Sequence, residues 1–182
     1  MSIKINETKI KDVYIIESTI HHDDRGYFLE TYNYYDMINN GIDTAFVQDN
    51  FSFSKKNVLR GMHFQKEHPQ AKLVKVVFGE VFDVIVDCRK DSPTFGQYIN
   101  IVLTGENKKQ LYIPTGCAHG FFVLSESAGF SYKCSDFYYP NDQYGFIWND
   151  KDINIAWPIF NNTDIIISKK DIVLPRFKEC NF

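Results

Sequence analysis

Apolar and polar residues alternate in short runs along most of this chain, and clusters of turn residues separate the runs. In Lys72-Leu73-Val74-Lys75-Val76-Val77 the period is two, so Lys72 and Val74 share one face and Leu73 and Lys75 the other. The same pattern predicts strands over residues 13–16, 27–34, 45–54, 58–65, 73–78, 81–87, 97–103, 110–113, 119–124 and 128–136. Phe78-Gly79-Glu80-Val81 reads as a hairpin turn with a strand on each side, and residues 104–108 read as a second turn. Helix is scarce, with residues 34–40 and 168–173 the best segments. Many short strands at regular spacing imply an all-β fold of the double-sheet jelly-roll type, a double-stranded β-helix. Such a fold encloses a pocket where inward side chains from several strands converge.

Composition narrows the class. A chain of 182 residues suits one domain spanning 1–182, and a hydrophobic share of 44% excludes a disordered chain. With 20 Lys and Arg against 23 Asp and Glu, it lacks the basic balance of a nucleic-acid binder. No run approaches the roughly 18 apolar residues of a membrane helix. Met1-Ser2-Ile3-Lys4-Ile5-Asn6 carries no signal-peptide pattern, so a cytoplasmic location is expected. Cys88, Cys117, Cys134 and Cys180 show neither C-x-x-C nor zinc spacing. They are expected to be free thiols with no assigned chemistry. The 29 aromatic residues, only 2 of them Trp, point first to strand packing.

Two of the five histidines stand in suggestive places. His63 ends Val58-Leu59-Arg60-Gly61-Met62-His63 within a predicted strand. Arg60, three residues earlier, falls on the opposite face of an ideal strand unless Gly61 permits a bulge. His119 lies in Pro114-Thr115-Gly116-Cys117-Ala118-His119, a tight turn entering an apolar strand. His21, His22 and His68 stand beside charged residues or proline and are expected at the surface.

The Pro-x-Gly-x-x-His pattern resembles the second motif of the cupins, which are jelly-roll proteins. The stretch His63-Phe64-Gln65 has Gln where a metal-binding cupin has its second His, so a metal site is incomplete and none is expected. Longer motifs resemble the dTDP-4-dehydrorhamnose 3,5-epimerase family. They are Asp24-Arg25-Gly26-Tyr27-Phe28-Leu29-Glu30, Gln48-Asp49-Asn50, Val58 through Gln65, Lys72 through Val76, Gly79 through Arg89, Ser92 through Gly96, and Tyr132-Lys133. They run colinearly from about residue 10 to 175, and several motifs at matching spacing form a specific signal.

The resemblance implies proton chemistry on a nucleotide-linked 4-keto-6-deoxy sugar, with no cofactor. By similarity His63 is the base, Asp171 its orienting carboxylate, Tyr132 the acid and Lys72 the cation at the enolate oxygen. Arg60 and Lys170 fall among the substrate-binding positions, Arg60 as a second cation near the C4 oxygen and the phosphates. His119 and Asp83 match a pair that binds the sugar or supports Lys72. Arg25, Glu30, Gln48 and Asn50 match nucleotide-binding positions, with Arg25 on phosphate; Phe28 and Tyr138 fall where a ring stacks on the base or walls the site, and Gln143 stands at a further substrate-binding position. The resemblance also implies a homodimer with N-terminal strands paired across subunits.

Some positions depart from the family pattern. Asn141 and Gln143 replace two glutamates, Phe51 and Phe53 replace a polar pair, and Asn57 replaces a glycine. These changes cluster near the nucleotide region, so a GDP-linked 4-keto-6-deoxyheptose stands as an alternative to the dTDP-hexose. Phe28, Phe51, Phe53, Phe121 and Tyr138 are expected to wall the pocket. Phe78, Phe82, Phe95, Phe122 and Phe130 are expected to pack between strands. Two readings from other classes are a metal-dependent cupin enzyme and a catalytically silent sugar-nucleotide-binding relative.

Overall fold

The computed structural model describes residues 3–160 and 163–182. In chain order the strands are β1 (Ile3–Glu7), β2 (Tyr14–Ser18), β3 (Ile20–Asp23), β4 (Gly26–Leu29), β5 (Gln48–Lys55), β6 (Val58–Gln65) and β7 (Lys72–Phe78). There follow β8 (Glu80–Asp87), β9 (Tyr98–Thr104), β10 (Gln110–Ile113), β11 (Cys117–Val123), β12 (Ser127–Cys134), β13 (Gln143–Gly145) and β14 (Ile166–Ile167). Among the described residues there are also two short α-helices, α1 (Tyr34–Asn39) and α2 (Lys169–Ile172), and two 3-10 turns, Pro140–Asp142 and Phe177–Glu179. One sheet runs β1-β2-β10-β7-β12-β5 and the other β13-β6-β11-β8-β9, with β14 parallel to β6 and β3-β4 forming a separate hairpin. This is the expected jelly roll.

The alternation puts one side of each sheet into a shared interior. Val74, Val76, Leu111, Ile113, Ala128 and Phe130 from the first sheet meet Val81, Ile85, Ile99, Leu103, Phe121 and Val123 from the second. Each outer face has its own cover. The α1 segment places Met37 and Ile42 over Ile16, Leu73 and Tyr112. The C-terminal chain places Phe146, Ile153, Ile155 and Phe177 over Met62, Val84, Val86 and Ala118. This double cover explains why Val84–Asp87 are buried without a break.

Several expectations need correction. Phe78 to Val81 is not a hairpin, because β7 and β8 belong to opposite sheets and do not pair. Gly79 turns the corner at φ +79°, where an added Cβ would sit 2.1 Å from the Ser127 carbonyl oxygen. The run 27–34 forms strand only over Gly26–Leu29, and Asn33 then caps α1 by accepting from the Tyr35 and Asp36 amides. Strand β5 begins at Gln48 rather than residue 45, and Phe95 lies in a loop against Phe177 and Phe182. All four cysteines are free. Among the described residues no helix is long and apolar enough to cross a membrane.

At the end of β8 a buried carboxylate clasps the following loop. Asp87 accepts from Arg89 Nε and Nη2 at 2.9 Å, from Ser92 Oγ at 2.5 Å and from Thr94 Oγ1 at 2.6 Å. Burial pushes this carboxyl upward, but the donors outweigh it and hold it at about 2. The depressed value contributes stability that is present above the unfolded carboxylate range and is lost as pH falls toward 2. Asp87→Asn is expected to cost on the order of 2 kcal/mol at pH 7. In thermal unfolding the gap from the wild type should narrow below pH 3, and equal melting temperatures at pH 7 would remove the clasp from the account.

Candidate active site

Residues from both sheets enclose a cavity of about 650 Å³. Its floor on the first sheet follows from register. Gln48, Cys134 and Lys72 stand side by side across β5, β12 and β7, and Asn50, Tyr132 and Val74 form the next row. The facing wall is β6 and β11, which contribute Arg60, His63, His119 and Phe121.

The pairing of β6 with β11 resolves the problem of Arg60 and His63. His63 pairs with His119 and Arg60 with Phe121, so three steps along β6 match two along β11. The extra residue is absorbed at Gly61, whose φ is +117° and whose bond to Met62 is cis. The bulge turns Arg60 and His63 into the same cavity. It also demands glycine on both strands. A Cβ on Gly61 would lie 2.5 Å from Gly120 Cα, and one on Gly120 would lie 2.7 Å from the Arg60 carbonyl oxygen.

His63 Nε2 lies 2.8 Å from Asp171 Oδ1, joining groups 108 residues apart. The Gly61 amide, released from the ladder by the bulge, donates to Asp171 Oδ2 at 3.4 Å. Asp171 sits in the single turn of α2, where Ser168 Oγ accepts from its amide. Burial raises the Asp171 carboxyl, but the bonds from His63 and Gly61 outweigh this and hold it below its ordinary range. The second His–Asp pair is deeper. His119 Nε2 lies 2.9 Å from Asp83 Oδ2, and Asp83 is fully buried. Burial raises the Asp83 carboxyl above its ordinary value, with His119 and Lys72 offsetting only part. Burial also lowers the Lys72 ammonium, opposed by Cys134 and Asp83. Tyr132 is raised by burial, partly countered by Arg60, and so stays a protonated phenol at neutral pH.

The mouth is organised by amides. Tyr138 Oη donates to Gln143 Oε1 at 2.7 Å, and the Tyr138 amide donates to Gln48 Oε1 at 3.1 Å. Gln48 Nε2 donates to Asn50 Oδ1 at 3.0 Å, and Asn50 Nδ2 reaches Cys134 Sγ at 3.7 Å. Gln65 pins the rim, with Nε2 donating to the His68 carbonyl and Oε1 accepting from the Tyr139 amide. Its amide is thus committed to main chain, and among the described residues no group of three His, Cys, Asp or Glu gathers as a metal site would need. His21, His22 and His68 are exposed.

The cavity therefore brings together His63, Tyr132, Asp171, Lys72, Gln48, Asn50, Arg60, His119, Tyr138, Gln143 and Lys170, with Asp83 behind His119. Arg25, Phe28 and Glu30 do not join them in this chain. They belong to the β3–β4 hairpin and the residue after it, where Arg25 pairs with Asp23 at 2.6 Å and Glu30 accepts from Asn33. Phe51 and Phe53 are a correction. The two-residue period that aims Asn50 and Ser52 inward sends both rings to the outer face, where they are 60% and 55% exposed. Cys134 was assigned no role by sequence, yet it floors the cavity, a position its two-residue spacing from Tyr132 reveals.

The family model for dTDP-4-dehydrorhamnose 3,5-epimerase matches residues 7–179. The chain belongs to that family. It is accordingly an isomerase, an epimerase acting on a sugar nucleotide. The Salmonella typhimurium dTDP-4-dehydrorhamnose 3,5-epimerase is 50% identical over 173 residues, covering 93% of this chain and 92% of that protein. The crystal structure of the Elizabethkingia anophelis enzyme of the same name superposes with a TM-score of 0.94 at 48% identity, over 100% of both chains. That of dTDP-6-deoxy-D-glucose-3,5-epimerase from Legionella pneumophila, in complex with dTDP-4-keto-L-rhamnose, gives a TM-score of 0.94 at 44% identity, over 98% of this chain and 95% of the other.

Gly61→Ala tests the bulge. The epimerase has no space for the methyl group, so the strands must part, at an expected cost of about 1–3 kcal/mol in thermal or urea unfolding. A variant as stable as the wild type would show that β6 and β11 tolerate a wider spacing.

Proposed function

We propose that this epimerase inverts C3 and C5 of a dTDP-linked 4-keto-6-deoxyhexose by removing and returning protons through an enolate, without a redox cofactor or metal. The C4 ketone acidifies the hydrogens on both neighbouring carbons. The His63 Nε2–H donates a hydrogen bond to the Asp171 carboxylate, which leaves the unprotonated Nδ1 as the base. Asp171 holds the ring and stabilises the imidazolium that forms. The Lys72 ammonium meets the C4 oxygen, where negative charge develops in a desolvated cavity. Tyr132 returns a proton to the opposite face.

The observation that carries this reading is the placement of base and acid on opposing walls. His63 stands on β6 and Tyr132 on β12, in the two sheets that enclose the cavity. A sugar ring held between them gives up a proton to one wall and regains one from the other, which is what inversion requires. His119, oriented by Asp83, binds the sugar. Arg60 and Lys170 meet the diphosphate. Tyr138 stacks on the base, with Gln48, Asn50 and Gln143 around it. Arg25, Phe28 and Glu30 serve the cavity of the neighbouring subunit in a homodimer, a role supported by their exposed hairpin and by the open edge of β1. Four free thiols accord with a cytoplasmic enzyme.

The test is a panel of dTDP- and GDP-linked 4-keto-6-deoxyhexoses and heptoses in heavy water, followed by NMR. Deuterium is expected at C3 and C5 of the dTDP-hexose. Label at C3 alone would restrict the enzyme to one centre, exchange confined to a GDP-heptose would replace the substrate, and no exchange with any of them would overturn the proposal. His63→Ala should abolish exchange. Tyr132→Phe should lower kcat by about 10²–10⁴ with KM little changed. A pure rise in KM would remove Tyr132 from the acid role.

The pH profile separates the cation from the acid. Burial lowers Lys72 and raises Tyr132, so loss of the ammonium moves down from the ordinary lysine range while loss of the phenol moves up. An alkaline inflection of kcat is expected below ~10.4, the ordinary lysine value, and should persist in the residual activity of Tyr132→Phe. Its disappearance in that variant would assign it to the phenol.

A further inference from the structure

Asp171 has little local support, because α2 spans only four residues, Lys169–Ile172. Its position must come from the chain on either side. Upstream, β14 pairs with Val58 and Leu59 at one half of the free edge of β6. Downstream, the chain turns onto the segment that occupies the other half of that edge. There β13 pairs Gly145 with His63, and Phe146 exchanges two hydrogen bonds with Met62, at 3.3 and 3.2 Å. The Ile147 amide donates to the Pro175 carbonyl at 2.8 Å.

The joint between these two segments is a buried carboxylate that the sequence does not mark. Asp150 is 3% exposed. Its Oδ1 accepts from the Asp152 and Ile153 amides at 2.9 and 3.1 Å, and its Oδ2 accepts from the Phe177 amide at 2.8 Å. The nearby Lys178 ammonium is engaged with Asp152 at 2.8 Å. Phe177, itself 6% exposed, stands edge-on to Phe146 at 5.1 Å. Asp150 thus ties the strand that backs His63 to the segment that carries Asp171. A carboxylate buried on main-chain amides is costly to place and costly to remove, since its loss leaves the Phe177 amide unpaired in the interior.

The geometry points to Asp150 as a positioning residue for the His63–Asp171 pair, acting through the anchored C-terminal segment. This assignment rests on the reading of that pair as base and orienting carboxylate. Asp150 touches no substrate; its effect passes through the aim of Asp171.

The experiment is a double-mutant cycle of Asp150→Ala with Asp171→Asn, measured by solvent deuterium exchange well below the melting temperature of each variant. Asp150→Ala is expected to lower kcat at least tenfold with KM within twofold of wild type. In the Asp171→Asn background the same change should alter kcat less than twofold, because the aim it sets is already lost. Equal losses in both backgrounds, or a wild-type kcat, would overturn the proposal. Asp150→Asn is the second variant. Its single carbonyl oxygen serves either the local turn or the Phe177 amide, so it should fold and still show the coupling. An independent readout is the ¹H NMR resonance of the His63 Nε2 proton shared with Asp171. It should be sharp and downfield in the wild type, absent in Asp171→Asn, and broadened or shifted in the Asp150 variants. An unchanged resonance in them would also overturn the proposal. If the wild type exchanges no substrate, the function fails, while this resonance still decides whether Asp150 positions the pair.

Discussion

The cavity depends on one close approach. Strands β6 and β11 meet at Gly61 and Gly120 with no space for a Cβ on either. That contact permits the bulge, and the bulge has two consequences. It turns Arg60 and His63, which ideal pleating would separate, toward the same space. It also takes the Gly61 amide out of the ladder and leaves it for Asp171. A regular strand would keep the hydrogen bonds and lose both the paired side chains and the second donor to the carboxylate.

A second constraint is electrostatic. Lys72, Asp83 and His119 share a region from which water is largely excluded, so burial lowers the lysine and raises the aspartate together. In neither group do the neighbouring charges fully offset burial. Asp171 differs because donors outnumber the burial effect and keep it ionised. The two His–Asp pairs are therefore unequal. One is open to the cavity with a firmly charged carboxylate, and the other is a deep pair whose carboxylate resists ionisation. This inequality supports the proposal that His63 is the base and that His119 binds the sugar.

Much of the fold was legible because strand period and turn residues are local properties. Residues 58–65 and 110–113 form strands with the predicted bounds, and both helices fall where expected. The misses have physical causes. The corner at Gly79 resembles a hairpin turn because a glycine at positive φ serves either purpose, and only the partner strands decide which. Strands β13 and β14 are too short to carry a period and exist because the edge of β6 offers unpaired groups. Phe51 and Phe53 have the opposite parity to Asn50, which sends them outward. The pocket residues were legible through motifs, but Asp150 was not, since an aspartate in a loop has no sequence mark of burial.

By itself, the sequence determined the alternation, and with it which side chains of each strand share a face, Lys72 with Val74 on one strand and Tyr132 with Cys134 on another. It also determined the family and the chemistry of the groups available. Only the tertiary structure decided which faces oppose each other, that Arg60 joins His63, that Asp171 reaches across 108 residues to the imidazole, and that Arg25, Phe28 and Glu30 stand apart from the cavity of their own chain. The physical reason is range. Pleating and turn preference act over a few residues, whereas proximity between distant strands is set by the packing of two sheets and the burial of the segments that cover them.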